Sequence, residues 1–153
     1  YHRGRYAIPG VDFDAALLPE LFADLSFRIG SYGDPAAIPA SVWKTATRRV
    51  KNYTGYTHQW RRRIGVGLKG LCMASADNES DVSDAMAKGW RTFRVRKHDA
   101  PTLPTESICP ASKEGGQRVQ CDRCGLCKGA KIAARNIVVA DHGLMDGRRR
   151  AVA

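Results

Sequence analysis

The sequence predicts an α/β protein, either a partial (βα) barrel or a small, mainly parallel sheet with a C-terminal cysteine-rich cluster loop. Three observations support this prediction. Short apolar segments with strand-like alternation recur along the chain, helical patterns separate most of them, and four of the five cysteines fall within residues 109–127. Strands that alternate with helices form βαβ units, and the strands of such units run parallel.

The individual elements follow from local periodicity and from the residues that begin or end helices. Pro19 interrupts an apolar helical stripe, so we expect a helix from about Leu18 or two short pieces. Asn78 is a favourable N-cap for the helix that follows it. Gly55 is expected to end an earlier helix, the one predicted over 40–53. The predicted strands cover 26–32, 55–60, 70–75, 91–96 and 136–140, and the predicted helices cover 40–53, about 79–88 and about 129–135.

Length and cysteine usage indicate the broad class of protein. A chain of 153 residues predicts a single α/β domain over 1–153, with a metal or cluster segment at 108–129. No apolar run reaches the roughly 20 residues that cross a bilayer, and no secretory signal pattern opens the sequence. The five cysteines are odd in number and grouped, unlike a disulfide framework. We therefore expect a cytoplasmic protein with reduced thiols and no membrane partner.

The strongly basic composition suggests a second class of partner. The formal net charge is +10, which raises the local concentration of polyanions such as nucleic acids. The run Arg61–Arg63, together with Arg48, Arg49 and Lys51, is the surface that a nucleic acid would contact. The alternatives are a solvated basic surface, or cations that balance a negatively charged cluster.

The segment ICPASKEGGQRVQCDRCGLCKG carries the most specific chemical signal. Its core is Cys121-x2-Cys124-x2-Cys127, and Cys109 lies upstream, followed by Pro110. Bacterial ferredoxins use the same triple spacing with a further Cys-Pro pair, because closely spaced thiolates can ligate different irons of one compact cluster. The sequence therefore predicts a [4Fe–4S] cluster that is bound by Cys109, Cys121, Cys124 and Cys127.

Two other interpretations of these cysteines stay open. Zinc with four thiolate ligands is the main alternative, although structural zinc sites usually combine two separate Cys-x2-Cys pairs. Four unligated thiols are the other alternative. The remaining cysteine, Cys72, lies in an apolar segment and is expected to be a packing residue, or else to face the cluster.

Polar residues also recur where the predicted strands end. In parallel sheets these carboxyl ends share one edge, where ligands bind. An enzyme with acid–base residues among His58, Asp77, His98 and His142 is therefore a further alternative, with ordinary turn and cap residues as the simpler interpretation. The full set is Asp34, His58, Gln59, Asp77, Asn78, Lys97, His98, Asp141 and His142.

The cysteine segment, which begins with ICPASKE, resembles a family of uncharacterised phage- and prophage-encoded proteins, as do MASADNESDVSDAMAKGWRTFRV and NIVVADHG. The resemblance extends from the SFRIGSYGDP strand to Asp141-His142-Gly143. Family members are distantly similar to radical-SAM-like phage proteins and usually carry another cysteine-rich segment before the first helix. This chain has no cysteine before Cys72. The resemblance implies an iron–sulfur site, a viral origin and action in the cytoplasm of the infected host, without naming a reaction.

Together these observations predict an iron–sulfur protein of phage origin with a redox, electron-transfer or structural role and a redox partner protein. A zinc-stapled nucleic-acid-binding module is the first alternative. An enzyme with its active site at the carboxyl ends of the strands is the second. Whether the protein is an enzyme stays open at this stage.

Overall fold

The computed structural model describes residues 14–141. Six strands form one open sheet in the order β1-β2-β3-β4-β6-β5, and every neighbouring pair is parallel. This confirms the predicted small, mainly parallel α/β fold. The strands are β1 (Ser26–Ile29), β2 (Asn52–Thr57), β3 (Met73–Ala76), β4 (Thr92–Arg96), β5 (Glu106–Ile108) and β6 (Asn136–Ala140).

The helices that connect these strands are short. They are α1 (Leu18–Leu21), α2 (Ala40–Ala46), α3 (Arg63–Val66), α4 (Glu79–Ala87) and α5 (Cys121–Cys124), and 3-10 turns lie at Ala15–Leu17, Pro35–Ala37, Gln59–Arg61 and Gly129–Lys131. Asn78 caps α4 as predicted, because its side chain accepts a 2.8 Å hydrogen bond from the Asp81 amide. Across residues 14–141, no helix is long and apolar enough to span a membrane.

The prediction around Gly55 is wrong. The helix expected over 40–53 ends at Ala46, and the next strand begins at Asn52 instead of Gly55. Gly55 does not end a helix but lies inside β2, where a Cβ atom would come within 2.7 Å of the Cys72 sulfur. The glycine is therefore needed for close packing between neighbouring strands, a role that local periodicity does not reveal.

Strand β5 was not predicted, and it begins between the strand predicted over 91–96 and the cysteine segment at 108–129. It has only three residues and begins with Glu106, which is depleted in strands. In the structure, Glu106 is buried and forms an ion pair with Arg94 of β4, with an N–O distance of 2.7 Å. This tertiary pairing outweighs the local preference and places Cys109 directly after the edge strand.

The sheet packs on both faces because side chains alternate along each strand. Helices cover one face, where Ile29, Trp60 and Cys72 belong to the larger apolar core. The cysteine-rich segment covers the other face, where Cys127 packs with Met73 and Ile137. This division places four of the five cysteines on the face opposite the main core.

Candidate metal centre

The structure brings the four predicted cysteine ligands to one face of the sheet. Cys109 follows β5 at its carboxyl end, and its amide donates a 2.9 Å hydrogen bond to the Val138 carbonyl of β6. Cys121 and Cys124 begin and end α5, and Cys127 packs with Met73 and Ile137. Cys121 is exposed, Cys109 and Cys124 are half-buried, and Cys127 is buried.

Polar side chains of the first two strands hold the cysteine segment on the sheet. The Asn52 side-chain amide donates hydrogen bonds of 3.1 and 3.0 Å to the carbonyls of Cys121 and Asp122. The Ser26 hydroxyl donates to the Asp122 carbonyl as well, at 3.2 Å. These bonds fix the α5 turn to the start of β1 and β2, so the position of Cys121 and Cys124 depends on the sheet.

Two glycines allow the tight backbone of this segment. Gly125 ends α5 with φ +67°, a left-handed conformation that residues with a Cβ atom rarely adopt. At Gly115, an added Cβ atom would lie only 2.1 Å from the Cys109 carbonyl oxygen. Substitution at either position would therefore displace one of the cysteine-bearing turns.

The four thiols are close enough to influence one another electrostatically. Burial is the largest of the effects that together raise the pKa of Cys127 to about 11, and negative charge on Cys109, Cys124 or Cys121 contributes to this rise. Burial also raises the pKa of Cys121, and charge on Cys109 and Cys124 adds to that effect. A cation bound among these thiols would favour their deprotonated form, because it would offset both burial and mutual repulsion.

Tyr56 of β2 contacts the most buried of these thiols. The interaction of its hydroxyl with the Cys127 sulfur lowers the pKa of Cys127 against the larger effect of burial. Burial raises the pKa of Tyr56, and the neighbouring Cys127 raises it further, so the phenol stays protonated as a donor. A phenol hydroxyl beside a sulfur stabilises negative charge on it.

A buried arginine lies next to the same thiol. Arg91 is 7% exposed, and its hydrogen-bond acceptors are the carbonyl oxygens of Leu126, Gly129, Ala134 and Arg135. Burial lowers the pKa of Arg91, while the charge of a Cys127 thiolate raises it. A buried cation usually has an anionic partner, and Cys127 would supply this negative charge when a bound metal or cluster deprotonates its thiol.

Sequence reasoning missed Arg91, Arg28 and Tyr56, because Arg28 and Tyr56 lie on strands and Arg91 directly before one, all remote from the cysteines in sequence. The cations that lie near the cysteines in sequence are Arg118, Arg123, Lys128 and Lys131. The structure shows Arg28 lowering the pKa of Cys121 against the larger effects of burial and thiol repulsion. Alternation along the strand over 26–29 places Arg28 on one face of the sheet. It does not reveal that the cysteines lie on the same face.

The four thiols lie near one another, but they do not have the arrangement of metal ligands. Within the part of the chain that the structure describes, no three His, Cys, Asp or Glu side chains are placed so that they could hold a metal ion. The donor set itself suits a thiophilic group, since thiolates are the preferred ligands of iron–sulfur clusters and bind zinc well. The chemistry of the donors therefore fits both predicted groups.

The fifth cysteine lies apart from this cluster. Cys72 is fully buried in the main core on the opposite face of the sheet, which confirms the predicted packing role. Burial, and to a smaller extent the nearby Asp34 carboxylate, raise the pKa of Cys72 to about 12. Cys72 is therefore protonated at neutral pH.

Among the polar residues at the strand ends, some have a structural role and others are exposed to solvent. Asp34 accepts hydrogen bonds from Ala36, Thr57 and His58 and therefore serves as a turn residue. His58 and Asp77 approach each other, with 3.8 Å between His58 Nε2 and Asp77 Oδ1, and both are largely exposed. His142 lies outside the described residues.

The basic run at Arg61–Arg63 is partly neutralised by neighbouring acids. Arg61 pairs with Asp81 at 2.6 Å and with Asp84 at 2.9 Å, and its guanidinium lies 3.7 Å from the centre of the Trp60 ring. Arg49 pairs with Glu20. These contacts give two of the predicted nucleic-acid-binding arginines a role in packing and surface ion pairing.

Comparison with protein-family models, with curated proteins and with solved structures finds no match to this chain.

Proposed function

We propose that the protein binds one [4Fe–4S] cluster through Cys109, Cys121, Cys124 and Cys127. The single observation that supports this proposal most is the approach of all four thiols on one face of the sheet, despite the long loop between Cys109 and the other three. The buried Arg91 supports it further, because a cluster with four thiolate ligands is negatively charged.

The proposed role is one-electron redox chemistry or structural support, within the cytoplasm of a phage-infected host. When bound, the cluster would supply a one-electron centre. With a thiolate on each iron, no coordination position is free for substrate, so electron exchange with a partner protein fits this site best. In this proposal the chain's own residues hold the thiolates, stabilise their charge through Tyr56 and Arg91, and bury Cys127.

Metal analysis of anaerobically prepared protein tests the proposal against zinc. We expect a brown protein with broad charge-transfer absorption, about four iron and four sulfide per chain, and zinc well below stoichiometry. Stoichiometric zinc without iron or sulfide, in cells supplied with iron, would instead establish the zinc alternative.

Replacement of Tyr56 by phenylalanine is expected to lower the reduction potential of the bound cluster. The variant keeps the ring but loses the hydroxyl that stabilises negative charge on the Cys127 sulfur. A typical hydrogen bond contributes about 1 kcal/mol, which corresponds to about 40 mV for a one-electron couple. Protein-film voltammetry of the two proteins measures the difference.

Tyr53→Phe is the matched control for this measurement. Tyr53 lies on the same strand but packs against the main core on the opposite face of the sheet. We expect the cluster in Tyr53→Phe to have the same reduction potential as in the unmodified protein. An unchanged potential in Tyr56→Phe, or an equal shift in both variants, would show that the hydroxyl of Tyr56 does not tune the cluster.

A further inference from the structure

A cavity of about 450 Å³ opens beside the cysteines. Its volume lies within the range of small-molecule sites, about 300–1,000 Å³. Gly30, His58, Asp77 and Cys109 line it, and each of them directly follows a different strand of the sheet. The cavity therefore lies at the carboxyl ends of parallel strands, the edge where α/β proteins bind their ligands.

One wall of the cavity carries a cation. Arg28 projects from β1, and its guanidinium carbon lies 5.8 Å from the centre of the Tyr56 ring. Among the described residues, no carboxylate forms an ion pair with Arg28. Its five N–H donors are therefore available to a ligand, and their planar arrangement suits carboxylate and phosphate groups.

Another part of the cavity lining is apolar. Phe93 and Val95 of β4 line the cavity, and the Phe93 ring packs 4.5 Å from that of Tyr56, centre to centre. Val95 is 43% exposed although it belongs to a central strand of the sheet. An apolar group bound here would cover this surface, while its charged end could reach Arg28.

We propose that this cavity is a binding site for a small organic anion, a carboxylate or phosphate whose apolar part packs against Phe93 and Val95. Arg28 binds the anionic group, and the His58–Asp77 pair, which also lines the cavity, supplies a second polar contact. The inference goes beyond the cluster and rests on the cavity itself. Because Cys109 and Cys121 also line it, the bound anion would lie next to the proposed redox centre.

Titrations with benzoate and with phenyl phosphate, followed by ligand-observed NMR, test the proposal on the full chain. Benzyl alcohol serves as the neutral probe of similar shape. We expect saturable binding of at least one anion and at least tenfold weaker binding of benzyl alcohol, because a charged hydrogen bond is lost. The two anions distinguish a carboxylate site from a phosphate site.

Three variants locate the binding. Arg28→Gln and Val95→Glu are each expected to weaken binding of the anion at least tenfold. The first variant removes the cation, and the second places a like charge beside the ligand. Arg62→Gln removes an equal charge outside the cavity and is expected to bind normally. Circular dichroism verifies that each variant is folded.

The proposal is overturned if neither anion shows saturable binding or if benzyl alcohol binds as tightly as the anions. It is also overturned if Arg62→Gln weakens anion binding as much as Arg28→Gln does. Iron and sulfide are measured on the same samples. Failure of the cluster proposal would therefore appear in the metal content, whereas failure of this inference would appear in the titration.

Discussion

Cys124→Ser is expected to abolish cluster binding, with iron and sulfide falling from about four per chain to near zero after anaerobic reconstitution. Cys124 is one of four thiols that interact on the same face of the sheet, and serine supplies a poor ligand for iron. The same loss is expected for Cys121→Ser and Cys127→Ser. Iron and sulfide assays together with visible absorption measure the effect.

Cys72→Ser is the matched control, because Cys72 lies in the main core on the other face of the sheet. This variant is expected to keep its full iron content, although the buried hydroxyl will reduce stability. Cys109→Ser identifies the fourth ligand. If a cluster with one replaceable iron survives there, Cys109 is not essential, whereas full iron retention in Cys124→Ser refutes the assigned ligand set.

Arg94→Met is expected to reduce the free energy of unfolding by about 3–5 kcal/mol, because it leaves the Glu106 carboxylate buried without its cation. The two side chains are 3% and 0% exposed, and they share two hydrogen bonds of 2.7 Å. Equilibrium unfolding in urea measures the change. Since this pair fixes β5 and Cys109 follows that strand, weaker iron retention should accompany the loss.

The double variant Arg94→Met/Glu106→Leu is expected to recover much of this stability, since it removes both charges together. Recovery will be incomplete because Glu106 also accepts a 2.9 Å hydrogen bond from the Leu103 amide. Arg49→Met, which breaks the exposed pair with Glu20, is the control and should change stability by less than about 1 kcal/mol. Equal losses of unfolding free energy in Arg94→Met and Arg49→Met would contradict the conclusion that burial makes the Arg94–Glu106 pair more important for stability.

Several elements could be predicted because their signals are local. The strand over 136–140 matches β6 residue for residue, and the helix after Asn78 ends within one residue of its predicted end. In both cases neighbouring residues supply the whole signal, through apolar alternation in the first and a side-chain cap in the second. Errors arose at Gly55 and at β5, where a residue distant in sequence determines the conformation.

The sequence by itself determined the parallel α/β class and the spacing of the cysteine triplet. Only the tertiary structure decided that β6 lies between β4 and β5, which brings Cys109 to the same face as the triplet. It also placed Arg28 and Tyr56 beside these thiols. The physical reason is that periodicity and capping depend on adjacent residues, whereas strand order and the burial of charges depend on partners far along the chain.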